Sequence, residues 1–329
     1  MSIEDINVNF SVEYGSVVDQ KYFPKRTSDA LWRSPSNNMV EWKGLHVKIP
    51  TLSVKGGSTF RNTNDLGLGE IADYSNDWED KTVRFARQWK TVVDPTNVKG
   101  TDTIVTIAKI TDLHNAQDVV KEQDCYMYST LFKEKQRVNN AKVAKGELKD
   151  ANDGIYNKAL DETNVLSVFD DMMTQMDESS VTGTRMLYVT PQVNKMLKTA
   201  DFANRAANIN GNGKIDRSIY SIDDVTIVVV PSHLMRTDFD FSNGAKDKDG
   251  SKQIQMFMIV NGAQLAPQTY SYAGIQEPAP LTNGNYLYYE NSLSDVFMLD
   301  NKASAYSVAI TDREGSKPNP GGQGQGKQS

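Results

Sequence analysis

The sequence predicts an α+β fold, and two observations carry that prediction. Apolar residues recur at helical spacing in AQDVVKEQDCYMYSTLFKEKQRV and ETNVLSVFDDMMTQMDE, whereas MLYVTP, VTIVVVP and QIQMFMIVN are short runs typical of strands. These elements follow one another without the regular βαβ alternation of a parallel sheet. With 329 residues, of which 24% are charged and 9% aromatic, the chain is long enough to bury a substantial core.

The N-terminal part of the chain is predicted to be extended. The first forty residues lack sustained periodicity and contain Pro24 and Pro35, which indicates an arm that needs a partner surface. Two strand-like runs follow, VEWKGLHVKIPTLSV and TVRFARQWKTVVD, on either side of the polar, glycine-rich GGSTFRNTNDLGLGEIADYSNDWED. This arrangement predicts a long β-hairpin.

The second of these runs allows two interpretations. Lysine and arginine are interleaved with aromatic residues in KTVRFARQWK, a pattern also found in strands that bind nucleic acid. The alternation of Val83, Phe85, Arg87 and Trp89 on one face favours a half-exposed β-strand. The formal net charge of −6 excludes the broad basic surface that non-specific nucleic-acid binding requires.

Two helical segments are predicted in the middle of the chain, with a polar segment between them that indicates a hinge or an insertion at residues 142–161. The methionine stripe of the second helix is typical of a core. The first helical element is long, either continuous or broken, and its residues at largely helical spacing are Ile104, Ile107, Ala108, Ala116, Val119, Val120, Gln123, Tyr126, Met127, Thr130 and Leu131. The second helix has one face made of Val165, Val168, Phe169, Met172, Met173 and Met176.

The C-terminal half mixes strands with one further helix. PQVNKMLKTADF is predicted to be a helix with Pro191 in its first turn. DFDFSNGAKDKDGSK is a charged loop, and LYYENSLSDVFMLDN and ASAYSVAITD are predicted to form the closing strands. The tail REGSKPNPGGQGQGKQS has low complexity and little apolar surface with which to offset the entropy of ordering.

One stretch, NINGNGKIDRSI from Asn208 to Ile219, is similar to a calcium loop. Three amides at alternate positions precede a glycine, but Ile219 stands where a bidentate glutamate is needed. Asp216 is the only carboxylate in the stretch, and it is flanked by Lys214 and Arg217, which repel a cation. An Asn-Gly turn that leads into a strand is therefore favoured over a calcium-binding module.

No enzyme active site, metal site or cofactor site is predicted. His46, His114 and His233 are far apart in sequence and lack ligand spacing, and no GxSxG motif is present. The phosphate-loop pattern GGQGQGK lies in the tail and is followed by Gln328 in place of serine or threonine. Cys125 is the only cysteine, and the N-terminal segment lacks the features of a signal peptide, so the chain is expected to remain in the cytoplasm without a membrane span.

The sequence resembles the major capsid proteins of tailed bacteriophages. The resemblance rests on VVKEQDCYMYSTLF, on VLSVFDDMMTQMDESSVTGTRMLYVTPQVNKMLK, on IDDVTIVVVPSHLM and on LYYENSLSDVFMLDNKASAYSVAI, which together span most of residues 117–312. It implies a subdivided α+β fold with a long helix and an extended hairpin. By position, residues 1–39 correspond to the N-terminal arm, 40–95 to the extended β-hairpin loop, 96–150 and 266–312 to the peripheral domain, and 151–265 to the axial domain. Residues 313–329, which the resemblance does not place, are expected from their composition to be a disordered tail.

The resemblance also implies a function. Copies of such a chain assemble as hexamers and pentamers into an icosahedral head that encloses packaged double-stranded DNA without sequence-specific binding. A portal and, because the arm begins within a few residues of Met1, a separate scaffolding protein are expected partners. The apolar residues expected to contact neighbouring copies are Phe60, Trp78, Val83, Phe85 and Trp89.

Two alternatives stay open at this point. The same fold could build a host-encoded shell that encapsulates a protein cargo. A calcium-dependent binding module, from a different class, would depend on NINGNGKIDRSI alone. The tail at residues 313–329 is expected to be dispensable for building a shell.

Overall fold

The structure of the chain is a computed structural model that describes residues 25–39, 41–43, 45–54, 74–94, 113–204, 221–222 and 225–312. Within these ranges, no helix combines the length and the hydrophobicity that a bilayer-spanning segment needs. The described residues contain both helices and sheets, mixed in the order expected for an α+β protein, so the predicted fold class is confirmed.

Helices are present where the described residues cover the predicted ones, whereas Ile104, Ile107 and Ala108 of the first predicted helical element lie outside the described residues. A π-helical turn at Asn115–Val119 leads into the longest helix, whose 25 residues extend about 37 Å at 1.5 Å per residue. The described α-helices are α1 (Asp29–Trp32), α2 (Val120–Ala144), α3 (Val165–Glu178) and α4 (Pro191–Asn204).

The strands range from two to nine residues in length. Those before α3 are β1 (Glu41–Lys43), β2 (His46–Val54), β3 (Tyr74–Thr82), β4 (Phe85–Val93) and β5 (Ile155–Asn157). Those after α3 are β6 (Arg185–Val189), β7 (Ser221–Ile222), β8 (Val225–Val229), β9 (Phe239–Asp240), β10 (Lys246–Asp247), β11 (Gln253–Val260), β12 (Gln264–Leu265), β13 (Gln268–Gln276), β14 (Tyr286–Ser294), β15 (Phe297–Met298) and β16 (Tyr306–Thr311).

A six-stranded mixed sheet with the order β5-β16-β11-β6-β8-β7 forms the centre of the fold. Strand β11 runs antiparallel to both of its neighbours, and both of its faces are covered. Ile254, Phe257 and Ile259 belong to the core beneath α2, whereas Met256 and Met258 belong to the core beneath α3 and α4. Burial on both faces explains why QIQMFMIV is an almost continuous apolar run.

The extended hairpin exists, but its second strand differs from the prediction. Strand β2 pairs with β3 at Tyr74–Thr82, which lies at the end of the polar segment, and not with the run TVRFARQWKTVVD. That run forms β4, which pairs with β14 in a separate sheet of order β13-β14-β4. Strand β3 has the sequence YSNDWEDKT, which lacks apolar alternation, so its strand conformation depends on pairing with β2 and has no signal of its own.

Residues 25–39 also differ from the extended arm that the sequence predicts. Leu31 and Trp32 of α1 are buried in the same core as α2, and Ser34 and Ser36 donate to the carbonyls of Gln264 and Gly262. Residues 25–39 therefore pack as part of the folded core of the chain. Short-range sequence patterns miss it because two buried apolar residues in a single helical turn give no periodicity.

Two further segments carry structure that the sequence does not predict. Within the polar residues 142–161, Ile155–Asn157 forms edge strand β5, which pairs in parallel with β16. Strand β13 at Gln268–Gln276 pairs with β14 along almost its full length. Its sequence QTYSYAGIQ contains a glycine and small residues in place of an apolar stripe, because most of the strand is exposed.

Candidate assembly surfaces

The extended hairpin joins the rest of the described chain at its root, where β1 also pairs with β2. Its two strands have nine residues each, which gives a length of about 30 Å. At the root of the hairpin, Val47, Ile49 and Val83 pack with Leu265 and Phe297 in a small apolar cluster. A two-stranded hairpin is marginally stable in water, so its outer part requires additional contacts to hold one orientation.

A buried carboxylate fixes the chain where it leaves the hairpin. The Tyr126 hydroxyl of α2 donates to Asp295 Oδ1 at 2.6 Å, the Arg84 amide donates to Oδ2 at 2.8 Å, and the Val296 amide donates to Oδ1 at 2.7 Å. Burial raises the pKa of Asp295, while the three donors act in the opposite direction. Asp295 thereby joins the hairpin root, α2 and the end of β14 at one point.

Charged residues at the hairpin root form a second connection to α2. Lys81 Nζ lies 3.2 Å from Glu79, 3.7 Å from Glu134 of α2 and 3.7 Å from Asp300. Arg137, one turn further along α2, contacts Glu134 at 3.0 Å and Asp300 at 2.7 Å. The Lys81 side chain is almost buried, so these pairs are better shielded from solvent than ordinary surface ion pairs.

Strand β4 packs one face against the start of α2, as its alternation predicts. The Phe85 ring stacks on Tyr126 with 3.9 Å between centroids, and the Trp89 ring stacks on His114 with 4.0 Å between centroids. Between them, Arg87 pairs with Glu122 at 2.6 Å. Burial raises the pKa of Glu122, and Arg87 partly offsets that rise.

The five residues predicted to contact neighbouring copies lie in different environments. Val83 and Phe85 are buried inside the chain itself, in the hairpin root and against α2. Trp89 is half-buried between His114 and the β14 side chains. Trp78, on the hairpin, is 44% exposed. Phe60 lies outside the described residues, so Trp78 is the most accessible of the four that the structure describes.

Asp124 forms a buried connection that the sequence analysis does not reveal. Its Oδ1 accepts the Ser28 amide at 3.0 Å and the Ser28 hydroxyl at 2.5 Å, and its Oδ2 accepts the Thr27 amide at 3.0 Å and hydroxyl at 2.7 Å. The Thr27 hydroxyl also lies 2.7 Å from the Tyr128 hydroxyl. Asp124 lies three and four residues before Met127 and Tyr128, on the buried face of α2, and this position was the available signal.

The three histidines occupy separate elements, as their spacing predicts. His46 lies in the hairpin beside Asp80, His114 precedes α2, and His233 is in a 3-10 turn at Ser232–Leu234. In the described part of the chain, no group of three or more His, Cys, Asp or Glu side chains is placed to hold a metal ion. The calcium-like stretch at residues 208–219 lies outside the described residues.

A cleft of about 340 Å³ opens beside α2, between Lys133, Asp238 and Lys252. Lys133 pairs with Asp238, which also binds Lys248 at 2.8 Å, and Lys252 pairs with Asp312 at 2.6 Å. The lysines at this cleft are thus neutralised by carboxylates of the same chain, which leaves little net charge to attract an anionic ligand.

Comparisons with known proteins identify the fold. No protein-family model matches the sequence, and no curated protein matches it significantly. Among solved structures, the mature capsid of bacteriophage PhiM1 superimposes with a TM-score of 0.63 at 13% identity, covering 93% of each chain. The capsid of cyanophage P-SCSP1u gives a TM-score of 0.59 at 11% identity, covering 92% of this chain and 93% of that chain. The capsid of Ralstonia phage GP4 gives 0.54 at 11% identity, covering 98% and 99%. The chain therefore has the fold of the major capsid proteins of tailed bacteriophages.

Proposed function

We propose that the chain is the structural subunit of an icosahedral phage head, which assembles as hexamers and pentamers around packaged double-stranded DNA. The observation that carries this proposal is the match to capsid chains over nearly the full length of both partners.

The shape of the subunit supports the proposal independently. The hairpin is held at its root by Asp295, Lys81 and a small apolar cluster, while Trp78 on hairpin strand β3 is 44% exposed. Such an element gains stability when it lies on a neighbouring copy, because burial of apolar surface then offsets the cost of ordering it. Trp78 and Phe60 are the residues we propose for that contact, with Trp89 as a further candidate on β4.

The proposed division of the chain follows the resemblance. Residues 1–39 are proposed as the N-terminal arm, of which the part at residues 25–39 packs against α2. Residues 40–95 are proposed as the hairpin loop, 96–150 with 266–312 as the peripheral domain, and 151–265 as the axial domain. In this division β16 belongs by sequence to the peripheral segment but completes the central sheet between β5 and β11, which ties the two domains together. The tail at residues 313–329 is proposed to be dispensable.

The proposed partners are further copies of the chain, a separate scaffolding protein and a portal. Assembly is proposed to take place in the host cytoplasm, and the finished product is the virion capsid. The net charge of −6 supports enclosure of DNA without tight binding, because a negatively charged protein repels the phosphate backbone. No catalytic step is included in the proposal.

Negative-stain electron microscopy of the expressed chain, with and without a candidate scaffolding protein from the same genome, tests the proposal. Closed, uniform particles in the presence of the scaffold are the expected result. A chain that remains monomeric at high concentration with every candidate scaffold would contradict the proposed function.

A further inference from the structure

Strand β13 is an unusual edge strand. It has nine residues, QTYSYAGIQ, and among the described strands it pairs only with β14. Its side chains are largely exposed, with Tyr270, Tyr272 and Ile275 each 50% accessible, and the turn that follows it exposes 93% of Leu281. A long edge strand presents a row of backbone donors and acceptors to any further strand.

The distribution of charge distinguishes β13 from the other long edge strands. Strand β3 carries Asp77, Glu79, Asp80 and Lys81, and strand β4 carries Arg87 and Lys90. Charged residues of this kind protect an edge from pairing with another chain. Among the nine-residue edge strands that the structure describes, β13 alone has no charged residue.

One face of β13 carries aromatic residues. A Cβ atom on Gly274 would lie 2.6 Å from the Tyr272 hydroxyl, so the Tyr272 ring lies along its own strand over this glycine. The ring is also 6.3 Å from that of Tyr289 on β14. An aromatic ring over a strand glycine covers the exposed backbone and stiffens the strand, which favours addition of another strand.

We propose that β13 pairs antiparallel with β13 of a second copy of this chain, across a two-fold axis. This inference deepens the proposed function and rests on it, since two-fold relations between subunits occur throughout an icosahedral shell. In a two-fold contact the same strand lies on both sides of the axis, so a charged residue near the axis would meet a like charge. An uncharged strand such as β13 can pair with its own copy without this repulsion. Pairing with β3 would instead bring three carboxylates beside the tyrosines at a desolvation cost.

The contact is expected only in assembled particles. One pair of nine-residue strands is a small interface compared with the roughly 1,000 Å² or more that a stable specific complex buries. Pairing therefore depends on the high local concentration that the other shell contacts provide.

Disulfide trapping tests the pairing directly. Cys125 is fully buried, so cysteines placed singly at Ser271, Tyr272 or Ala273 are the reactive thiols. Residues next to a two-fold axis face their own copies at about 5 Å between Cα atoms, which permits a disulfide. Oxidation of assembled particles is expected to give about tenfold more covalent dimer for at least one of these variants than for Gln88→Cys, an exposed control on β4.

Two results would overturn the inference. One is the formation of normal particles in which all three β13 cysteines stay unlinked, and the other is linkage to a different segment, identified by mass spectrometry of the cross-linked peptides. If the unmodified chain formed no particles, the proposed function would fail instead.

A charge exchange provides a second readout. Lysine is placed at the one of residues 271–273 whose cysteine cross-links best, for example Ala273→Lys. This variant is expected to lower the particle yield about tenfold, because two ammonium groups meet near the axis. Mixing it with the glutamate variant of the same position should restore the yield, since Lys–Glu pairs can then replace like-charged pairs. A yield that stays normal for the lysine variant alone, or one that the mixture does not restore, would contradict self-pairing.

Discussion

The Asp124 carboxylate accepts hydrogen bonds from both the backbone amide and the hydroxyl of Ser28, although 96 residues of chain separate the two. With the two further bonds from Thr27, this joins residues 27 and 28 to α2. A buried carboxylate that receives four donors is well compensated for the loss of water. The position of Thr27 and Ser28 is therefore set by α2.

Asp124→Asn is expected to destabilise the subunit by about 2–4 kcal/mol, because the amide loses the charge and one acceptor that these donors require. Urea unfolding measures the loss. Trypsin should also cut faster after Lys25 and Arg26, which directly precede the connection. Asp118→Asn is a suitable control, since Asp118 is largely exposed and should change stability by less than about 0.5 kcal/mol. Equal effects for the two variants would show that Asp124 does not anchor the segment.

Tyr126→Phe is expected to loosen the hairpin root. The variant removes the hydroxyl that donates to Asp295 at 2.6 Å and leaves a buried carboxylate with one donor fewer, at a cost of about 1–3 kcal/mol. Hydrogen exchange at the Arg84 amide, which donates to the same carboxylate, should become faster. Tyr289→Phe, a control on strand β14, should leave the exchange rate of the Arg84 amide unchanged. Protection of Arg84 that survives Tyr126→Phe would assign the hairpin orientation to other contacts.

Lys135 should give the stability of the subunit a specific pH dependence. Its ammonium group is buried and donates to the Ala303 carbonyl at 2.8 Å. Burial lowers the pKa of Lys135 from 10.5 to about 8, while Asp153 acts in the opposite direction. Between these two values the unfolded chain holds the proton and the folded chain releases it, so stability rises with pH through this window. Below about pH 8 both states are protonated, and the contribution is constant.

Urea unfolding of the unmodified chain and of Lys135→Met from pH 7 to pH 10 tests this dependence. The difference between the two free energies of unfolding should move in favour of the unmodified chain by up to about 3 kcal/mol across that range. Lys149→Met, at an exposed position, should show a constant difference. A constant difference for Lys135→Met as well would mean that the buried amine keeps its ordinary pKa.

Shortening the hairpin should separate folding from assembly. Replacement of residues 55–73 by an Asn-Gly turn joins β2 to β3 directly and leaves the Asp295 and Lys81 contacts at the root in place. A soluble, cooperatively melting subunit that forms no closed particles with scaffold is the expected result. Wild-type particle yield, or loss of cooperative melting, would place the role of this segment elsewhere.

The sequence predicts those parts of the fold whose residues carry their own periodic signal. The methionine face of α3, Pro191 at the start of α4 and the alternation in β4 lie where their patterns indicate. The sequence does not predict strands β3 and β13, because pairing with neighbouring strands, and not their own side chains, determines their conformation.

The residues predicted to contact neighbouring copies show the same limit of prediction from local sequence patterns. Val83 and Phe85 have the alternation of a half-buried strand, which does not reveal whether the partner is the same chain or another copy. The connections through Asp124 and Asp295 join residues from 96 to 211 positions apart, and no local pattern encodes them. A single carboxylate on the buried face of an element indicates that hydrogen-bond donors surround it, but it does not identify them.

Image reconstruction of the purified particles by electron cryomicroscopy tests the central claim most directly. We predict a closed icosahedral shell whose capsomers show both six-fold and five-fold arrangements of this chain, with the hairpin lying on a neighbouring copy. Particles with a single ring symmetry, open filaments, or a shell in which the hairpin contacts only its own subunit would contradict the account.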